Sequence, residues 1–173
     1  MAPGDDLEED FTLDYQSIFR ILNQRKIDYL VAGGVAVNFH GIPRMTYDLD
    51  LMMLLEKKNI HQMVSQLLEW GYRARVPVDP FELENEKTRA VWKKEKHMKA
   101  FSFFSETHSI GEIDLLIESP LDYNHLKKRA AVFVVEGIDV PVISIKDLID
   151  LKLYSGRKQD LSDVSLLQSI LEE

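Results

Sequence analysis

Residues Val31 to Met53 read VAGGVAVNFHGIPRMTYDLDLMM. The last seven, Tyr47 to Met53, have the make-up of a buried β-strand, yet they carry Asp48 and Asp50. Successive strand side chains point to opposite faces, so these two carboxylates share one face with Met52. Like charges side by side on a sheet repel, and burying either is costly. The arrangement makes sense when a cation lies between them. Hard divalent ions such as Mg²⁺ take oxygen ligands and usually bind one or two carboxylates together with substrate phosphates. A solvated strand end also tolerates Asp-x-Asp, but here apolar residues continue past the pair.

Upstream, the apolar run DYLVA predicts a short strand that Gly33-Gly34 breaks. VAVNFHG then predicts one or two helical turns, ended by Gly41 and Pro43. Glycines let a phosphate approach the backbone, and a helix N-terminus offers free N–H groups, so Gly33 and Gly34 are candidates to cradle a triphosphate. The dipeptide alone reads more readily as a tight turn.

Two further charges sit in apolar surroundings. Asp114 is flanked by Ile113, Leu115, Leu116 and Ile117. A strand neighbouring the first would let it complete a three-carboxylate site for two metal ions, the kind that stabilises both oxygens of a phosphoryl transfer. Glu112 shares its strand face but stands near the strand's start, where solvent is expected. Lys152 continues the helical stripe Ile145, Leu148, Ile149. It either snorkels to the surface or reaches a phosphate. Asp160 and Asp163 have the spacing of an N-cap and first-turn acid pair.

The 173-residue chain is expected to form one domain over residues 11–173, preceded by a flexible acidic tail over residues 1–10. The element order is mixed: helix, strand, helix, strand, helix, several strands, two helices. It predicts an α/β or α+β domain with a small mixed sheet flanked by helices. Residues 72–95 show no regular period, and VPVIS reads as a lead into the helix after it. No cysteine is present, which excludes disulfides, zinc-thiolate sites and a cysteine nucleophile. No segment reads as a signal peptide or a membrane span, so a cytoplasmic location is expected. The formal net charge of -8 argues against nonspecific nucleic-acid coating. One basic stretch, Lys87 to Lys99, has two readings. It is an RNA or partner contact, with Trp92 and Phe101 as stacking candidates, or an edge strand guarded by lysines.

Together these residues resemble the signature of the nucleotidyltransferase superfamily, the DNA polymerase β-like fold. They are most similar to its stand-alone AbiEii-type toxin group. The matching elements are Gly33-Gly34, then Gly41-Ile42-Pro43-Arg44-Met45-Thr46, then Asp48-Leu49-Asp50. Asp114 in EIDLLI follows, and then the tail LIDLKLYSGRKQDLSDVSLL. The resemblance implies metal-dependent transfer of a nucleoside monophosphate from an NTP to an acceptor hydroxyl of RNA or tRNA, protein or a small molecule. Asp48, Asp50 and Asp114 would be the catalytic residues and the ligands of two Mg²⁺ or Mn²⁺ ions. Gly33, Gly34, Arg44, Thr46, Lys152 and Arg157 would bind the nucleotide. An antitoxin or second subunit would be the partner of a toxin–antitoxin component. The alternative is a protein of this fold that binds nucleotide, RNA or a partner chain without catalysis.

Overall fold

Asp14 starts the first helix, α1 (Tyr15–Gln24), by accepting a 2.7 Å hydrogen bond from the Ser17 N–H. This computed structural model describes residues 13–173, so the expected acidic tail lies outside the described residues. The helix buries Ile18, Phe19 and Leu22. Strand β1 (Tyr29–Ala32) is buried along its whole length and runs directly into α2 (Gly33–Phe39). Strand β2 (Asp48–Met53) returns antiparallel to β1, pairing Ala32 with Asp50. Helix α3 (Lys57–Glu69) follows, and its buried Asn59 ties the chain together. The Asn59 side chain accepts from the Asp28 N–H and donates to the carbonyls of Asp28 and Leu54, all at 2.9 Å.

The chain continues through β3 (Arg73–Ala74), a 3-10 turn (Pro80–Glu84), α4 (Glu86–Glu95), β4 (Ala100–Phe104) and β5 (Glu112–Leu116). It ends with α5 (Tyr123–Arg129), β6 (Ala131–Val135), β7 (Ile138–Val142), α6 (Ile145–Ser155) and α7 (Lys158–Leu171). The seven strands form one mixed sheet in the order β3-β4-β5-β2-β1-β7-β6. β2 with β5 and β1 with β7 are parallel, and the other pairs are antiparallel. The expected mixed sheet flanked by helices is therefore what forms.

Three local expectations differ. Residues 72–95 are not irregular: they hold β3, the 3-10 turn and α4, which Asn85 caps by accepting from Lys87 and Thr88. Helix α4 buries only Arg89 and Trp92, so it has no apolar stripe to read. The basic stretch is thus mainly helix, not an edge strand. Trp92 and Phe101 are 5% and 1% exposed and stack on each other at 5.6 Å, so neither is open to a base. Finally, VPVIS contributes to β7, which forms a hairpin with β6. Its two-residue turn, Glu136-Gly137, has positive φ at both positions, the twist that suits such a tight link.

Candidate active site

The parallel register of β2 and β5 sets Asp48 beside Glu112 and Asp50 beside Asp114. Four carboxylates therefore share one patch of the sheet. Asp48, Glu112 and Asp114 each offer an oxygen within 4.8 Å of the others. The cost shows in their proton affinities. Burial, then repulsion from Asp114, pushes the Asp50 carboxyl up to about 7. Asp48 is raised by burial and then by Glu112 and Asp114. Asp114 is raised chiefly by burial, with Glu112 adding to it. Asp114 Oδ1 is buried and has no hydrogen-bond partner. An orphaned carboxylate oxygen among crowded acids is what a hard divalent cation would satisfy, so the residues fit the metal that the fold implies.

Glu112 corrects the sequence reading, which sent it to solvent. It is half-buried and belongs to the acidic patch. Arg75 Nε donates to Glu112 Oε1 at 2.6 Å, while the Arg75 guanidinium lies 5.1 Å from the Phe104 ring centre. The Arg75 charge also opposes the rise at Asp48 and Asp114. The sequence did hold a signal for Glu112. Its spacing from Asp114 repeats that of Asp48 from Asp50, and a parallel ladder in register matches the two pairs.

Gly33 has φ +60, and a Cβ there would lie 1.9 Å from Asp50 Oδ2. A Cβ on Gly34 would meet Thr46 Oγ1 at 2.9 Å. The glycines thus leave room for Asp50 and for the loop that precedes it. Thr46 supports that loop, its Oγ1 donating to the Asp48 carbonyl at 3.2 Å.

Lys152 neither snorkels nor stands free. It is 5% exposed, and its Nζ donates to Asp160 Oδ1 at 3.1 Å and Asp163 Oδ2 at 2.9 Å. Its charge still acts on Asp50, opposing the rise there. Arg44 donates to the same Asp163 oxygen. Ser155 and Arg157 both donate to Asp160 Oδ2. Burial works against ionisation of Asp160, but hydrogen bonds from Ser155, Arg157 and Lys152 overcome it and hold the carboxyl below its usual range. The capping expectation for Asp160 and Asp163 is therefore corrected. Arg157 occupies the N-cap of α7 without a side-chain cap bond, and both acids turn inward to Lys152.

A cleft of about 290 Å³ brings Gly33, Asp50, Asp114, Lys152 and Arg157 together. Arg44 and Thr46 line a separate hollow of about 540 Å³ between α1, α2 and the loop before β2. The expected nucleotide-binding residues are thus divided between two cavities, with Gly34 packed against Thr46 and Arg44.

Comparison with known proteins places this geometry in context. The sequence profile described as aminoglycoside-2''-adenylyltransferase matches residues 14–167. No curated protein matches the chain. Among solved structures, the lincosamide antibiotic adenylyltransferase LnuA bound to lincomycin shares the fold at a TM-score of 0.59 and 16% identity, over 92% of this chain and 99% of that one. ANT(2'')-Ia in complex with adenylyl-2''-tobramycin gives 0.56 and 14% identity over 90% and 86%. A nucleotidyltransferase-like structure from Thermotoga maritima gives 0.51 and 13% identity over 95% and 99%. The superfamily expected from the sequence is matched, and the narrower AbiEii-type likeness rests on the sequence motifs alone.

Proposed function

The chain belongs to the aminoglycoside-2''-adenylyltransferase family, and on that premise we propose that it moves a nucleoside monophosphate from an NTP to a hydroxyl of a small-molecule acceptor. One observation carries this reading. The partnerless Asp114 Oδ1 stands in a four-carboxylate patch, and Asp50 and Asp114 line the same cleft as Lys152 and Arg157. Acids that gather a metal and cations that meet phosphates are the two halves a phosphoryl transfer requires.

Asp48, Asp50 and Asp114 would hold the divalent cation, Mg²⁺ or Mn²⁺, with Glu112 beside them. When bound, such ions neutralise charge on the transferring phosphoryl group and its leaving oxygen. Lys152 and Arg157 would neutralise the triphosphate from the opposite wall, and Gly33 would let the Asp50 carboxylate lie against the backbone at the edge of the same cleft. Arg44 and Thr46 would act from behind, by fixing the loop that leads to Asp48. Asp114, whose Oδ1 has no hydrogen-bond partner, would accept the proton of the acceptor hydroxyl. In that step the acceptor oxygen bonds to the α-phosphorus, the bond to the bridging oxygen breaks, and pyrophosphate leaves.

A small molecule is preferred among the three acceptor classes because two of the solved structures of this fold hold lincomycin and adenylyl-2''-tobramycin. RNA or protein as acceptor, and an antitoxin as partner, have only the sequence resemblance behind them. The test incubates the protein with each labelled NTP and Mg²⁺ or Mn²⁺. Separate arms contain aminoglycosides and lincosamides, total RNA, and protein lysate, each beside an Asp48→Ala/Asp50→Ala control. Label on a small molecule is the expected result, and label on RNA or protein reassigns the acceptor. NTP binding without transfer in every arm favours the non-catalytic binding protein.

A further inference from the structure

We infer that the part of the cleft beyond the carboxylates holds the nucleoside of the NTP, with its base stacked on Tyr154. This inference rests on the nucleotidyl-transfer reading and names which residues take the nucleotide's uncharged portion.

The cleft changes character along its length. On the sheet, Asp50 and Asp114 are followed two residues on by Met52 and Leu116, which are register partners and lie on the same strand face. A charged pair thus gives way to an apolar pair within one strand repeat. On the facing wall, Leu148, Leu151, Lys152 and Ser155 are spaced as one helical face of α6 and all line the cleft. Lys152 therefore sits in a wall that is otherwise largely apolar. Pro120 extends the apolar lining past the end of β5.

Tyr154 and Glu118 lie at the rim. Tyr154 is 57% exposed, and its hydroxyl donates to Glu118 Oε1 at 2.8 Å. Glu118 is itself fixed, its backbone N–H donating to the Lys99 carbonyl. The tie joins α6 to the segment after β5 at the edge of the cleft. An exposed aromatic face beside an apolar floor is the setting in which a base stacks, and stacking accepts any base because each has a π-face.

The division of the acids favours the nucleoside over the acceptor as occupant. Asp50 and Asp114 line this cleft, and so do the cations Lys99, Lys152 and Arg157. Asp48 and Glu112 do not. A triphosphate seated against the cations carries its nucleoside into the same cleft, and the side of the carboxylate patch bearing Asp48 and Glu112 is left for the acceptor.

The experiment measures affinity by calorimetry in Mg²⁺ for two probes, α,β-methylene NTP analogues and inorganic tripolyphosphate. The proteins are wild type, Tyr154→Ala and Tyr154→Phe. Stacking predicts that Tyr154→Ala weakens the analogues by about tenfold or more while tripolyphosphate stays within about twofold. Tyr154→Phe, which keeps the ring, should keep most of the analogue binding. The inference is overturned when Tyr154→Ala leaves the analogues unchanged, or weakens both probes alike. Wild type binding neither probe overturns the nucleotidyl-transfer reading itself. Because Tyr154 is exposed, unchanged thermal melting will confirm that the variants fold.

Discussion

Gly33 and Asp50 are in such close approach that a Cβ on the glycine would lie 1.9 Å from Asp50 Oδ2. The glycine also adopts φ +60, a conformation that L side chains enter at a cost of roughly 1–2 kcal/mol. Gly33→Ala should therefore lose more stability than strain alone explains, because the Asp50 carboxylate must also move. Gly137 provides the control. Its φ is +79, but nothing lies within 4 Å of an added Cβ. Thermal melts should show the larger fall for Gly33→Ala, together with weakened Mn²⁺ binding by electron paramagnetic resonance. Equal losses in the two variants, with Mn²⁺ binding intact, would remove the steric argument.

The crowding of the carboxylates makes a prediction about pH. The Asp50 carboxyl is raised from 3.8 to about 7 in the folded protein, first by burial and then by Asp114. Between those two pH values the folded state keeps a proton that the unfolded state has released. Metal-free stability should accordingly fall as pH rises through this window and level off above 7, by at most about 4 kcal/mol from this group. Asp50→Asn should flatten the profile, and Mg²⁺ should stabilise wild type more at pH 8 than at pH 5. Urea midpoints at the two pH values measure both effects. A profile as steep in Asp50→Asn as in wild type would contradict the assignment.

What the sequence disclosed follows from the range of the interactions. Strand alternation is local, so Asp48 and Asp50 could be placed on one face without a fold. Gly33-Gly34 was legible as a break for the same reason. Glu112 was not, because the spacing it shares with Asp48 and Asp50 becomes a signal only once β5 lies parallel and in register with β2, across sixty-odd residues. Asp160 and Asp163 were misread as caps because capping considers only a helix's own first turn. Both accept from Lys152 on α6, Asp160 also from Ser155 and Arg157, and Asp163 also from Arg44, 119 residues earlier in the chain. Helix α4 escaped notice because it turns only two side chains inward.

That inward-facing ion cluster has a measurable consequence. Asp163 is the shared acceptor of Lys152 and Arg44, so removing it leaves two cations of the cleft and the loop without their common partner. Breaking a buried pair from one side costs about 3–5 kcal/mol. Asp163→Ala should approach that loss in chemical denaturation. Arg157→Ala should cost no more than about 1 kcal/mol, because the Arg157 side chain is 80% exposed. Similar losses for the two substitutions would show that Asp163 is not the hub of the cluster.

Arg75 lies outside the cluster around Asp163, on the sheet edge next to the carboxylates. It is a tethered cation beside the acidic patch, holding Glu112 Oε1 at 2.6 Å and easing the repulsion felt by Asp48 and Asp114. A divalent ion entering the patch meets the same carboxylates, so the guanidinium and the metal compete for their charge. Arg75→Ala should tighten Mn²⁺ binding by a few-fold at low ionic strength, and the gain should shrink in high salt as screening grows. Glu112→Gln should act in the opposite sense, because it removes a negative charge from the patch. Arg75→Lys should stay near wild type in affinity, since it keeps the charge while losing the planar fork and the stacking on Phe104. Mn²⁺ titrations of the four proteins decide the matter. Weaker binding by Arg75→Ala would mean that Arg75 positions Glu112 for the ion and does not compete with it.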